Sequence, residues 1–292
     1  MILVFGSINI DLMVPVPELP HPGETVLGGD YQLLPGGKGA NQALAACRAG
    51  ASVTMAGAVG NDGFAAAALE LLRRDGVDLA LVRRVERPTG CAAIMVGASG
   101  ENLIAVAPGA NGAAIAAGVP EEVLGPETIV LCQMEVPPRE TAALIRRAAF
   151  RGARNILNLA PALPMDPGLL SDLDLLVTNT AEAAALGSDP VQIAQGLRQA
   201  FVVTRGVAGS TAFLSNGGRI DIPALAIEAV DTTGAGDTFV GVLAAGLDHG
   251  LTLETALHRA SAAAGLACLA HGAQTATPDR LAIDKAVARL SS

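Results

Sequence analysis

The chain has no tryptophan, one tyrosine and six phenylalanines, so aromatic side chains make up 2% of its 292 residues. Its interior must be built from Ala, Leu, Val and Ile, and a pocket that stacks a nucleobase has few partners to draw on. No Lys/Arg-rich stretch occurs and the net charge is -9, which removes the electrostatic footprint of a nucleic-acid or anionic-membrane partner. Cys47, Cys91, Cys132 and Cys268 are far apart, each in an apolar run, without CxxC or metal-ligand spacing. They read as reduced core residues. The opening MILVFGSINIDLMV carries no basic leader and meets acid at Asp11, so neither a signal peptide nor a membrane span is expected, and a cytoplasmic location is.

What is present is 51% hydrophobic residues with 34 Gly and 17 Pro, the composition of a tightly turned globular chain. Ile2 to Gly6, Val53 to Ala58, Thr128 to Cys132, Asn155 to Leu159, Leu175 to Thr178 and Phe201 to Thr204 are short runs, apolar on both faces. Buried parallel strands have this pattern. Asn41 to Ala49, Phe64 to Asp75, Arg139 to Arg151, Ile193 to Ala200, Ala235 to His249 and Leu253 to Ala270 carry helical spacing, with Gly near several ends. The alternation predicts one α/β domain over residues 1–292 with a doubly wound, mostly parallel central sheet and helices on both faces. Two stretches break the rhythm, about 12–34, rich in proline, and about 82–106, with turn signals at ERPTG and ASGEN. They are expected to pair into a small β-sheet lid.

Two glycine-rich segments precede helical patterns. Pro35-Gly36-Gly37-Lys38-Gly39-Ala40-Asn41 resembles a phosphate loop, but Gly39 stands where a Walker A motif needs Ser or Thr to hold magnesium. No GxGxxG follows the first strand, which opposes a dinucleotide-binding oxidoreductase. Glycines permit close ligand approach and Asn41 offers both donor and acceptor, yet a plain strand-to-helix turn fits equally. The second segment is AVDTTGAGDTF, residues 229–239. Its bland reading is a turn with Asp237 as a first-turn acid. Its sharper reading pairs the free amides of a helix start, which cradle an anion, with a carboxylate placed to accept a proton; phosphoryl transfer to an alcohol needs both.

GSINIDLM, PGGKGANQALAACRAGA, GENLIAVAPGAN, CQMEVP, NTAE, VTRGVAGS, DTTGAGDTF and HGAQTATP occur in order along the chain. In that order and spacing the sequence resembles the ribokinase (PfkB-type) family of sugar kinases nearly end to end. The resemblance implies an ATP-dependent kinase acting on a primary hydroxyl, with D-ribose to D-ribose 5-phosphate the expected reaction. Deoxyribose, another sugar or a nucleoside is the alternative substrate, and a catalytically silent sugar- or nucleotide-binding protein is the alternative class.

The same resemblance assigns residues. Asp237 would be the base, with the helix start Gly234-Ala235-Gly236-Asp237 as anion hole. Asn9, Asp11, Gly37, Lys38, Gly39, Asn41 and Glu135 would line the sugar pocket. Asn179 and Glu182 would lie in the Mg2+-phosphate region, where a capping box is the local alternative. Thr204, Gly206 and Gly209, with Asn179 and Gly236, would bind nucleotide, against a plain hairpin turn at VTRGVAG. Asp231 and Thr233, with backbone oxygens near Ala267, Ala270 and Gly272, would hold K+, although Asp231 also suits a turn and Ala276 lacks the hydroxyl that the family's ending has there. A homodimer formed through the lids is the implied assembly.

Overall fold

The computed structural model describes residues 1–290. The first half runs β1 (Ile2–Phe5), β2 (Asn9–Val16), β3 (Gln32–Gly36), α1 (Lys38–Arg48), β4 (Val53–Gly60), α2 (Gly63–Ala68), α3 (Glu70–Arg74), β5 (Asp78–Val85), β6 (Gly90–Gly97) and β7 (Asn102–Ala107). It continues with β8 (Ile129–Cys132), α4 (Pro138–Phe150), β9 (Arg154–Asn158), β10 (Leu175–Asn179), α5 (Thr180–Ala185) and α6 (Pro190–Gln195). The last part is β11 (Ala200–Thr204), β12 (Ser210–Leu214), β13 (Arg219–Ile222), α7 (Ala235–Asp248), α8 (Leu253–Ala267) and α9 (Arg280–Leu290).

The large sheet has nine strands in the order β13-β12-β11-β10-β9-β8-β1-β4-β5. All neighbours are parallel except β11 with β12 and β12 with β13. The all-apolar runs explain why. In β1, Ile2 and Val4 pack with α1, α7 and α8 residues such as Leu44, Leu243 and Leu257, while Leu3 and Phe5 pack on the other face with Leu144 and Ile145 of α4. A strand buried on both faces has no place for polar side chains. The doubly wound reading of the sequence is what the chain adopts.

Four further strands form a separate sheet in the order β3-β2-β6-β7. It is mixed: β2 runs parallel to β6, and the two outer pairs are antiparallel. Val82–Val85 does not belong to it, because these residues end β5 and pair with β4 in the large sheet. The small sheet also begins earlier than expected, at Asn9. Strand β5 hid from the sequence because it is an edge strand in which Arg83 and Arg84, on opposite faces, are both exposed, and charge on an edge strand is a common way of keeping it from pairing with another chain.

Other element boundaries moved for local reasons. The helix expected over 193–200 is α6, which starts at Pro190 because Asp189 accepts the Val191 N–H at 2.8 Å and proline is tolerated at the first turn. Residue 200 already begins β11. The pattern over 64–75 divides at Leu69 into α2 and α3. Helix α8 ends at Ala267 rather than 270, in a turn closed by the Cys268 N–H on Gly265 O at 3.1 Å. Helices α1 and α7 cross closely, since a Cβ on Gly241 would lie 2.5 Å from Gln42 O and 2.7 Å from Ala45 Cβ. That crossing sets the distance between the two glycine-rich segments. Among the described residues, no helix is long and apolar enough to cross a membrane.

Candidate active site

Strand order reverses at β1, which has β4 on one side and β8 on the other. In such sheets the connections leave the two central strands in opposite directions, opening a crevice beyond their carboxyl ends. Gly6 and Ser7 follow β1 there, Gln133 to Glu135 follow β8, and Asn158, Asn179 and Thr204 end β9, β10 and β11. A cavity of about 230 Å³ at this edge is bordered by Lys38, Asn179, Glu182, Thr204, Gly236 and Asp237, among others.

Helix α7 aims its N-terminus into this cavity. Gly234 caps it at φ 74, a left-handed conformation, and a Cβ there would lie 2.7 Å from Ala273 Cα. Glycine is required on both counts. A Cβ on Gly236 would meet nothing within 4 Å, so that side of the helix start borders open space. Of the expected anion-hole amides, Ala235 N–H donates to Thr232 O at 3.3 Å within its own loop. Asp237 is 7% exposed. Its Oδ2 accepts from Asn41 Nδ2 and its Oδ1 from Gln42 Nε2, each at 2.9 Å.

In the first glycine-rich segment the strand-to-helix turn is present, from β3 into α1. Gly37 has φ 89 and its Cβ would lie 2.7 Å from Asn9 N; that of Gly39 would lie 2.6 Å from Ser7 N. These glycines let the start of α1 press onto the β1–β2 connection. Gly36 does the same for Asp11, whose carboxylate occupies the space a side chain would need. Ser7 Oγ donates to Glu135 Oε2 at 2.6 Å, and Lys38 N–H donates to the same oxygen at 3.1 Å. Asn9 Oδ1 accepts from the buried Asn111 Nδ2 at 2.6 Å. Lys38 and Asp237 thus border the cavity, whereas Asn9, Asp11, Gly37, Gly39, Asn41 and Glu135 are not among the residues that line it.

On the other side, Asn179 and Glu182 satisfy both readings of NTAE. They form a reciprocal capping box, with Glu182 N–H on Asn179 Oδ1 and Asn179 N–H on Glu182 Oε2, both at 2.8 Å, and both residues border the cavity. Thr204 also borders it, with its Oγ1 donating to Thr178 O at 3.3 Å. Gly206 and Gly209 lie beyond, in the connection from β11 to the antiparallel β12, at φ 55 and 82. The hairpin reading is present there. Asp231 ties two loops: Oδ1 accepts from Thr233 N–H and Oδ2 from Gly272 N–H, both at 2.9 Å. Gly272 therefore presents its N–H, not its carbonyl, to Asp231. Ala267 is the last residue of α8 and Ala270 lies in the turns after it.

A sequence profile of the pfkB family carbohydrate kinases matches residues 1–280. The chain belongs to that family. It is 36% identical to the Bacillus subtilis ribokinase, over 97% of this chain and 98% of that protein. Among solved structures it is similar to a Thermotoga maritima ribokinase, with a TM-score of 0.91 and 30% identity over 98% of this chain and 99% of the other. An Arabidopsis thaliana ribokinase complexed with ribose and ATP matches at a TM-score of 0.86 and 31% identity, covering 98% of each chain.

For a carbohydrate kinase of this family, the charge arrangement beside the cavity is informative. Burial pushes the Asp11 carboxyl up from 3.8 to about 6, and the nearby Glu135 and Asp237 carboxylates add to it. The Asp237 carboxylate raises the Lys38 ammonium above its ordinary range; burial works against this, and Glu135 and Glu182 reinforce it. Lys38 is thus a fixed cation between the acids on the two sides. Gly272 and Thr233 hold Asp231 low although burial, the largest single influence, opposes them.

Sequence reasoning missed Ser7, Asn111, Gln42 and Gln274. Gln42 carries a local signal, because it is a polar residue in a helix stretch of Ala and Leu whose neighbours are all buried. The partners of the other three lie far along the chain. Because Asp11 is harder to ionise folded than unfolded, its cost is fully present above about pH 6 and gone below the ordinary 3.8. Asp11→Asn should therefore stabilise the protein by about 1–3 kcal/mol at pH 8 and lose that gain by pH 3.5. Thermal melts across pH check this, and a pH-independent difference would overturn it.

Proposed function

We propose that the protein transfers the γ-phosphoryl group of ATP to the primary hydroxyl of D-ribose, giving D-ribose 5-phosphate, with Asp237 as the base. The observation that carries this reading is a buried carboxylate in the first turn of α7, bordering a cavity and held at both oxygens by amide donors. The attacking hydroxyl gives its proton to Asp237 as the new O–P bond forms, while the bond from the γ-phosphorus to the β–γ bridging oxygen breaks and ADP leaves with that electron pair. The positive end of α7 and the N–H groups of Gly236 and Asp237 face the charge gathering on the transferred group. Asn9, Asp11, Asn41 and Glu135 supply the mix of amides and carboxylates that recognises the hydroxyls of a neutral polyol. Lys38 is the cation among them, and a sugar already carrying phosphate would call for more. The ribokinases similar to this chain, one of them complexed with ribose and ATP, support ribose as the substrate.

The capping box engages Asn179 Oδ1 and Glu182 Oε2, so Glu182 Oε1 is the oxygen there that suits a hard cation, one that keeps most of its waters and binds through nucleotide phosphates. Mg2+ there would neutralise phosphate charge. For K+, the residues fit less fully: both Asp231 oxygens already accept backbone N–H groups, and Ala276 offers no hydroxyl. We read the region of Asp231, Thr233, Ala267, Ala270 and Gly272 as an activating site of modest strength. Thr204, Gly206 and Gly209 are read as the nucleotide edge. The small sheet is read as the lid over the sugar, which excludes water from the reaction. Strand β7 is exposed along its whole length, including Leu103, Ile104 and Val106, and a second copy is the partner we propose for it.

Asp237→Asn should lower turnover by at least about 10³-fold while sugar binding persists in calorimetry; substantial residual rate removes Asp237 as base. In a coupled ADP-release assay over pentoses, hexoses and nucleosides, ribose should give the highest kcat/KM, and no preference for it would defeat the substrate assignment. In the same assay K+ should raise the rate over Na+, and indifference to the cation would count against the Asp231 site. Sedimentation should give twice the chain mass of 29.3 kDa; a monomer at micromolar concentration would refute the lid dimer.

A further inference from the structure

We propose that Gln42 is a positioning residue for phosphoryl transfer, the inner member of one of two amide relays that together fix both oxygens of the Asp237 carboxylate. The proposal rests on the reading of Asp237 as the base.

The first relay runs from Gln133, just after β8, through Gln42 of α1. Gln133 Nε2 donates to Gln42 Oε1 at 2.6 Å, and Gln42 Nε2 donates to Asp237 Oδ1 at 2.9 Å and to Asn158 Oδ1 at 2.9 Å. The second relay runs from Gln274 through Asn41. Gln274 Nε2 donates to Asn41 Oδ1 at 3.1 Å, and Asn41 Nδ2 donates to Asp237 Oδ2 at 2.9 Å.

The direction of both relays follows from their end point. An ionised carboxylate only accepts, so Asn41 and Gln42 must turn their nitrogens to it and their oxygens away. Those oxygens need donors, which obliges Gln133 and Gln274 to present nitrogen in turn. The outer oxygens, Gln133 Oε1 and Gln274 Oε1, are then left buried without a hydrogen-bond partner. Gln42 and Gln133 are fully buried and Gln274 is 1% exposed. An unpaired buried carbonyl costs stability, and apolar side chains at both members of a relay, such as methionine at Gln42 and Gln133 together, would fill the same space without that cost. The stability of the core therefore does not account for two such oxygens, each at the far end of a relay to the same carboxylate.

What the relays accomplish lies at Asp237. Held at one oxygen, a carboxylate can still turn about its Cβ–Cγ bond; held at both, from two neighbouring residues of one helix, it cannot. Its remaining lone pairs keep a fixed relation to the start of α7, where the transferred group must sit. A base that is aimed in advance raises the rate of the chemical step without tightening substrate binding.

The test is steady-state kinetics and thermal melting of the full chain carrying Gln42→Met or Gln133→Met, with Asp237→Asn alongside. Gln42→Met should lower kcat by roughly 10- to 100-fold with KM for sugar and ATP within about threefold of the parent. Gln133→Met, which removes an unpaired oxygen of its own but leaves Gln42 Oε1 without its donor, should melt close to the parent temperature and still lose kcat severalfold, a combination that a purely structural role would not produce. Parental kcat in a folded Gln42→Met protein would overturn the proposal, as would a kcat loss matched by a rise in KM. If Gln42→Met does not fold, Gln133→Met decides alone, and parental kcat there overturns the proposal. A dead Asp237→Asn beside an active Gln42→Met removes only the relay; an active Asp237→Asn removes the base and the relay together.

Discussion

A carboxylate at the mouth of a helix, nearly closed off from water, cannot remain charged unless donors meet it. Much of the site's construction answers that requirement at Asp237. The donors come from α1, so α1 must reach α7 at side-chain-amide distance, which Gly241 permits by letting the backbones of the two helices approach closely. The start of α1 must be fixed as well. Gly39 N–H donates to Ser7 Oγ at 3.3 Å, and Ser7 in turn donates to Glu135, so the helix start is anchored to the loops after β1 and β8. The far end of α1 is anchored too, with Arg48 Nη1 donating to Gln274 O and Thr277 O at 2.7 and 2.8 Å. The segment 272–278, α1 and α7 are in this way bound around one acid.

The architecture was legible because buried strands announce themselves. Six short apolar runs became β1, β4, β8, β9, β10 and β11, and the Gly-Ala-Gly segment before Asp237 became the start of α7. What escaped had polar exposure or a distant cause. Strand β5 alternates exposed and half-buried residues at a sheet edge, and β13 is short with Arg219 and Asp221 facing solvent, so neither carries the all-apolar signal. Helix α5 has no buried residue and is held by its capping box. The glycines of residues 36–39 were read equally as a ligand loop and as a plain strand-to-helix turn, and the contacts that require them within the chain are with Ser7, Asn9 and Asp11. Local sequence cannot distinguish the two, since either calls for a missing side chain.

The candidate site was legible as residue types and illegible as a network. Asn41 was expected to line the sugar pocket; what the sequence did not show is that its amide nitrogen engages Asp237 and its oxygen engages Gln274. Its neighbour Gln42 meets Gln133, Asn158 and Asp237, each of them far along the chain. No pattern within a helix encodes such pairings, because they exist only once the sheet has brought β8 and β9 beside β1. The acids show the same division. That Asp11, Glu135 and Asp237 are carboxylates is plain from sequence; that they lie close enough to raise the Asp11 carboxyl follows from the fold.

Only residues 6–8 separate β1 of the large sheet from β2 of the small one. Asn9 and Asp11 are therefore not loop residues; they belong to an inner strand of the small sheet, which β3 and β6 flank. If the small sheet is the lid we propose, Asn9 and Asp11 travel with it, while Asp237 stands at the start of α7. Any rocking of the sheet would move a bound polyol's holders and its roof as a single piece. Grip and enclosure would then be one mechanical coordinate, so a molecule too short to engage both Asn9 and Asp11 would also fail to draw the roof shut.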